Sequence, residues 1–171
     1  MIRLIGIFVI VLSAGCAMLP DTVEPFTVSR EAREFCDLLT VDTDAGKNLL
    51  LKPYGKPDRV DVKTMPNKHE PEAEDEIHTA HYEDGRVVIY SVPHIGRNYP
   101  LEIVLTGKFW PQRLSRHIGK SSREIVEYFG PPNQTRSNDL VYFCSPEADQ
   151  YLQFHMTLSG LARLEIKGWV D

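Results

Sequence analysis

The sequence predicts an α+β fold made of two helix-helix-three-strand antiparallel repeats. Two stretches with helical patterns end in an aromatic residue followed by Gly-x-Pro, with the glycines at Gly55 and Gly130, seventy-five positions apart. Glycine just past a helix, with proline close behind, is a common way to end a helix. After each Gly-x-Pro come segments that alternate apolar and polar residues, as strands with one buried face do. We therefore expect residues 29–108 and 109–171 to form the two repeats.

The first repeat is expected to begin with a helix capped by Ser29. Its buried face carries apolar residues at the i, i+3, i+4, i+7 spacing, namely Ala32, Phe35, Cys36 and Leu39. A second helix, capped by Asp44, is expected before Pro53. Asp84-Gly85 is a strong signal for a tight hairpin turn. The strands are predicted at residues 77–82, 86–92 and 101–106.

The second repeat has clearer local signals. Ser121 and Glu124 have the spacing of a capping box, and the helix that follows them is expected to end at Gly130. Ser159-Gly160 predicts a hairpin between the last two of three strands, at residues 140–144, 151–158 and 161–169. The core face of the middle strand is predicted to carry Leu152, Phe154, Met156 and Leu158. In the alternative, the chain is a single domain in which only residues 121–171 have this shape.

The N-terminus has the pattern of an export signal. Arg3 precedes an apolar run from Leu4 to Leu12, which is far shorter than the roughly 20 residues of a membrane span. The apolar run is followed by the small residues Ser13, Ala14 and Gly15 and then by Cys16. This order resembles the lipobox of bacterial lipoproteins. This resemblance implies that residues 1–15 are a lipoprotein signal peptide, that Cys16 is lipidated, and that residues 16–28 are a tether. Because Ala17 follows the cysteine, it also implies the bacterial outer membrane. The alternative is a plain secretory signal with an incidental cysteine.

Charge and composition exclude one class of partner. Removal of residues 1–15 takes away only Arg3 among the charged residues, which leaves 18 basic against 24 acidic residues, a formal charge of −6. Without a basic patch, we expect no nucleic-acid binding. The acidic run at residues 69–76 is expected to be a solvated loop, although it could attract a cation or a basic partner.

Two cysteines are left once Cys16 is set aside. Cys36 and Cys144 are an even pair in an oxidising compartment, so a disulfide between them is permitted. Each follows a phenylalanine in an apolar setting, where a free cysteine would also pack well. Both alternatives stay open at this point.

The second half also resembles a known family. Gly119, a polar capping segment, Ile125 six positions later, and Gly130-x-Pro132 match the pattern of the SmpA/OmlA (BamE-like) family of outer-membrane lipoproteins. The likeness is close over residues 116–171 and loose over residues 43–106. It implies a small helix-and-sheet module that stabilises an outer-membrane complex. Tandem copies of this shape also occur in secreted inhibitor proteins of β-lactamases.

Motifs for catalysis are missing from the sequence. Thr106-Gly107-Lys108 lacks the rest of a P-loop, and there is no Gly-x-Ser-x-Gly. His78 and His81 fall on opposite faces of a predicted strand, which does not suit one metal ion. We therefore expect no metal, no small-molecule cofactor and no enzymatic activity.

The expected function is that of a non-enzymatic adaptor or scaffold in a cell-envelope protein complex, with barrel assembly as the resemblance implies. The main alternative is a periplasmic inhibitor that caps a cell-wall or secreted hydrolase with its sheet face. An enzyme with a spatially assembled site is a third. Exposed aromatic residues opposite the apolar stripe would anchor an envelope protein partner. We expect this role for Tyr90, Tyr151 and His155, and a core position for Phe143 and Phe154.

Overall fold

The computed structural model describes residues 28–39, 46–108, 110, 112–147 and 149–168. The helices of this part are short: α1 (Arg30–Cys36), α2 (Lys47–Leu51), α3 (Gln112–Ser115) and α4 (Ser122–Phe129). The strands are β1 (Arg59–Pro66), β2 (Glu74–Tyr82), β3 (Gly85–Val92), β4 (Arg97–Leu105), β5 (Gln134–Arg136), β6 (Asp139–Phe143), β7 (Tyr151–Thr157) and β8 (Gly160–Lys167). No helix in these ranges is long and apolar enough to cross a membrane.

All the strands belong to one antiparallel sheet with the order β1-β2-β3-β4-β8-β7-β6-β5. The two halves of the chain meet where β4 pairs with β8, with Ile103 opposite Ile166 and Leu105 opposite Leu164. The predicted fold class is therefore wrong. In place of two helix-helix-three-strand repeats in a BamE-like tandem, the described chain forms a single eight-stranded sheet with a few short helices.

The prediction missed one strand in each half because both lie at an edge of the sheet. All eight residues of β1 are exposed, its apolar alternation is confined to Val60 and Val62, and it ends at a proline, Pro66. β5 is three polar, exposed residues long. A strand that buries little needs no regular hydrophobic pattern, and proline is itself a signal against a strand.

Helices α1 and α4 begin where local capping signals place them. The Ser29 hydroxyl accepts the N–H of Ala32 at 3.1 Å, so α1 starts at Arg30 as its cap predicts. α4 has a complete capping box, in which the Ser121 N–H donates to the Glu124 carboxylate at 2.9 Å and the Glu124 N–H donates to the Ser121 hydroxyl at 3.3 Å. Gly130 ends α4 with a φ of 80°, which favours glycine.

An aromatic cluster fixes the helices onto the sheet. Phe129 of α4 contacts Phe35 of α1 with ring centroids 5.3 Å apart and Phe154 of β7 at 4.8 Å, and the ring of Tyr142 lies 5.6 Å away. Phe35, Phe129 and Phe154 are all at most 2% exposed. The helices thus cover one side of the sheet and bury its apolar stripe.

A disulfide joins the two halves of the chain. The sulfurs of Cys36, at the end of α1, and Cys144, just after β6, are bonded at 2.06 Å across a separation of 108 residues. Cys36 is buried beside the aromatic cluster. The bridge therefore connects the first helix of the chain to a strand of the second half.

Several further predictions are corrected by the structure. Leu158 is fully exposed because β7 ends at Thr157 and Leu158 lies in the turn to β8. Phe143 pairs with Tyr151, on the side of the sheet away from the apolar stripe, and is only half-buried. Part of the acidic run belongs to β2, where Asp75 is 1% exposed. Cys16, Asp44 and Trp169 lie outside the described residues.

Candidate functional site

The side of the sheet that faces away from the helices is the candidate site, and we call it the open face. On β7, Leu152, Phe154 and Met156 point to the helices and are buried, whereas Tyr151, Gln153 and His155 point the other way and are half-buried. Helices α1, α3 and α4 bury their apolar side chains in the same core as the first set. Within the described ranges, helices α1 to α4 therefore all pack on the side of the sheet opposite the open face.

The structure places all three predicted binding residues on the open face. Tyr151 and His155 lie on β7, and Tyr90 lies on β3 opposite Ile77 of β2. From Tyr151, the paired residues run across the sheet through Lys167 of β8 and Glu102 of β4. Three strand intervals separate β7 from β3, about 14 Å at the usual strand spacing. The three side chains are therefore spread over the face and do not form one compact pocket.

A chain of charged side chains and one histidine crosses the open face between these aromatic residues. We call it the charge ladder; its members are Arg86, Glu102, Lys167, Glu165, Arg163, His155 and Asp139. At one end, the Arg86 guanidinium lies 2.7 Å from the Glu102 carboxylate. The Lys167 ammonium lies 3.7 Å from Glu102 and 2.6 Å from Glu165, so it links β4 to β8.

The other end of the charge ladder involves His155. Its Nδ1 lies 2.9 Å from the Asp139 carboxylate and its Nε2 lies 3.3 Å from the Glu165 carboxylate. The Arg163 guanidinium adds a contact of 3.0 Å to Glu165. His155, the one predicted site residue in the ladder, therefore lies between two carboxylates from neighbouring strands, and the Arg163 guanidinium lies 3.1 Å from its Nε2.

Glu165 is the centre of the charge ladder and is only 4% exposed. Burial opposes its ionisation, but the hydrogen bond from Lys167 and the charges of Lys167, Arg163 and His155 outweigh burial and hold its pKa below the usual value. Burial likewise acts against the charged form of Lys167, and the bond to Glu165 outweighs it and raises the pKa of the ammonium. Both groups are thus charged at neutral pH, and the face presents fixed charges.

Tyr90 has a structural partner that the sequence did not suggest. Its hydroxyl donates to the buried carboxylate of Asp75, which also accepts two hydrogen bonds from the side-chain amide of Asn67, at 3.0 and 2.9 Å. The bond to Asp75, together with desolvation, raises the pKa of Tyr90 to about 12. The hydroxyl of Tyr90 is therefore already hydrogen-bonded within the protein, and its half-buried ring is the part that can contact a partner.

A cleft of about 480 Å³ on the helix side brings a histidine and two carboxylates together, His117, Glu124 and Glu127. Burial, with the charges of Arg116 and Lys120, lowers the pKa of His117 to about 4. Hydrogen bonds from Lys120 and Ser121 lower the pKa of Glu124 to about 2. An efficient general acid or base has a pKa near the working pH, so His117 and Glu124 are poorly suited to proton transfer at neutral pH.

The position of His117 predicts a loss of stability in mild acid. Its Nε2 accepts a hydrogen bond from Arg116 Nε at 3.1 Å, which requires a neutral ring, and the ring packs against Phe35 and Phe129. Between pH 6.5 and 4 the unfolded chain takes up a proton on His117 that the folded protein does not. We expect the free energy of unfolding to fall by about 2 to 3 kcal/mol over this range.

Urea unfolding at pH 7, 5.5 and 4.5 measures this loss, and His117→Phe is the matched variant, since it keeps an aromatic ring and removes the titrating group. Its stability should depend less steeply on pH than that of the parent. Equal pH dependence in the two proteins would show that another group is responsible.

The charge ladder was not predicted because its members are paired by register. Glu102 and Lys167 are directly opposite each other where β4 pairs with β8, although sixty-five positions separate them in the sequence.

Among the described residues, no group of three His, Cys, Asp or Glu side chains has an arrangement that could hold a metal ion.

Comparison with known proteins finds no relative, since no family model, curated protein or solved structure matches the chain.

Proposed function

We propose that this chain is a non-enzymatic, lipid-anchored protein of the bacterial outer membrane that acts as an adaptor or scaffold in a cell-envelope protein complex. The observation that carries the proposal is the open face. It joins fixed charges at its centre to the half-buried rings of Tyr90 and Tyr151. Aromatic anchors with charged surroundings are typical of surfaces that bind proteins.

The dimensions of the open face suit a protein partner. Eight strands at the usual spacing span about 34 Å, and six residues along a strand span about 20 Å. The product, roughly 700 Å², is comparable with the roughly 800 Å² that each partner contributes to a standard interface. Since the rings of the predicted site lie three strand intervals apart, about 14 Å, a broad surface fits them better than a small molecule does.

The choice of the outer membrane and of barrel assembly rests on the N-terminal sequence and on the resemblance of residues 116–171 to the SmpA/OmlA family. Permanent attachment needs more than one acyl chain, since a single chain binds a membrane only marginally. A lipidated Cys16 with its amine acylated would meet this requirement. The open face would then work within reach of the tether, in which residues 17–26 span at most about 33 Å when extended.

Lipidation of Cys16 has a direct test. Cells that express the protein should incorporate a tagged fatty acid into it, and the protein should fractionate with the outer membrane. Cys16→Ala should abolish the label and release the folded body from the membrane fraction. Cys36→Ala, which changes a cysteine of the folded body, is the control and should keep the label. Equal labelling of the parent and Cys16→Ala would contradict the proposal.

A second candidate function is inhibition of a periplasmic or cell-wall hydrolase. The observation that favours it is that both halves of the chain contribute to one continuous open face, which could cap another protein. Cross-linking in intact envelopes separates the candidates. Adducts with outer-membrane barrel machinery support the adaptor, and adducts with one soluble hydrolase support the inhibitor.

A further inference from the structure

The edge strand β1 is exposed along its whole length. All eight residues are accessible, including the apolar side chains of Val60, Val62 and Met65, which are 43%, 53% and 37% exposed. A long edge strand with free backbone groups is a template for pairing with another strand, and proteins usually shorten or cover such edges. The opposite edge, β5, has only three residues. The two edges therefore differ, and β1 is the one with room for a further strand.

The backbone groups that point away from the sheet can be identified. Pro66 has no N–H and pairs with Glu74, and the next residue, Asn67, donates its N–H to the Ala73 carbonyl at 2.9 Å. Hydrogen-bonded and non-hydrogen-bonded positions alternate along an antiparallel pair. The odd-numbered residues of β1 therefore bond to β2. Within the described part of the chain, the N–H and C=O groups that have no partner belong to the even-numbered ones, Val60, Val62 and Thr64.

We propose that β1 pairs with β1 of a second copy of this chain, antiparallel, about a two-fold axis at Val62. In this register Val62 lies opposite Val62 of the second copy, and Val60 lies opposite Thr64. The residues with free backbone groups then face one another, so each N–H meets a carbonyl of the other copy. The contact is isologous, as two-fold dimers require.

Charge selects this register over its neighbours. With the axis at Val62, Asp61 of each copy lies directly opposite Lys63 of the other, which gives two favourable cross-strand pairs. An axis at Asp61 would place two aspartates opposite each other, and an axis at Lys63 would do the same with two lysines. Like charges directly opposite destabilise a strand pair.

The proposed contact also gives Lys63 a partner. Lys63 has no ion pair or hydrogen bond of its side chain in the described part of the chain, whereas the Asp61 carboxylate lies 3.0 Å from both Arg59 and His81. A carboxylate has several acceptor sites, so Asp61 can accept a further bond from Lys63 of the second copy. The result is one sheet that continues through both copies.

Two charge reversals test the dimer. In Asp61→Lys, lysines meet at both cross-strand pairs, and in Lys63→Asp, aspartates meet at both. A mixture of the two variants can form a heterodimer in which every pair again joins a lysine to an aspartate. The full chain, purified from membranes in detergent, is measured by native mass spectrometry after the detergent is removed, alone and as the equimolar mixture. Thermal unfolding of each variant accompanies the measurement.

We expect the parent to have twice the mass of one chain, each variant alone to have the mass of one chain, and the mixture to recover the doubled mass as a heterodimer. A monomeric parent, a variant that dimerises alone, or a mixture that stays monomeric would each overturn the proposal. Unfolding of a variant cannot imitate the expected result, because recovery in the mixture requires both chains to be folded. The dimer does not depend on what the open face binds.

Discussion

Cys36→Ala, Cys144→Ala is expected to lose about 4 to 5 kcal/mol of unfolding free energy, because loss of the bridge releases a loop of about a hundred residues in the unfolded chain. In a protein of this size, that loss corresponds to a fall in the melting temperature of roughly 10 to 20 °C. Urea unfolding of the parent and the double variant measures it.

Reduction provides the control for the disulfide. A thiol reductant should lower the stability of the parent to nearly that of the double variant, and it should leave the double variant unchanged. The bridge joins α1 to the chain just after β6, so its loss should loosen the attachment of the first helix to the second half. A loss below about 1 kcal/mol in the double variant would contradict this account of the bridge.

The second large effect is expected at Phe154. Its ring is fully buried and contacts Phe129 at 4.8 Å and Tyr142 at 5.4 Å between centroids. Phe154→Ala removes the member of the aromatic cluster that β7 contributes and leaves a cavity under the helices. We expect a loss of about 3 to 5 kcal/mol in the free energy of unfolding, measured by urea or thermal unfolding.

Tyr151→Ala is the matched control, since Tyr151 lies on the same strand three residues away and points to the open face. We expect it to change the free energy of unfolding by less than about 1 kcal/mol, as substitutions outside the core usually do. If Tyr151→Ala destabilises the protein as much as Phe154→Ala, the open face is part of the core and cannot be a binding surface.

The features that the sequence predicted are those set by neighbouring residues. The cap at Ser29, the capping box of Ser121 and Glu124 and the glycine after Phe129 each act within one turn of helix, so they can be recognised locally. The alternation in β7 likewise assigns Phe154 to the core and Tyr151 to the opposite face.

The features that the sequence did not predict depend on pairing between distant segments. β1 and β5 bury almost nothing, so the hydrophobic pattern that identifies other strands is weak in them. The two halves form one sheet because β4 pairs with β8, and the register of that pairing brings the members of the charge ladder together. The burial of Asp75 depends on Tyr90 and Asn67, which no local motif connects to it.

The claim that the open face binds an envelope protein is tested most directly by a photo-cross-linking residue placed at Tyr151 in living cells. Arg123, on α4 and highly exposed on the helix side, is the control position. The proposal predicts a strong adduct from Tyr151 with a component of the outer-membrane barrel machinery, and none with that component from Arg123. No adduct from Tyr151, or the same adduct from both positions, would contradict the claim that this face is the binding surface.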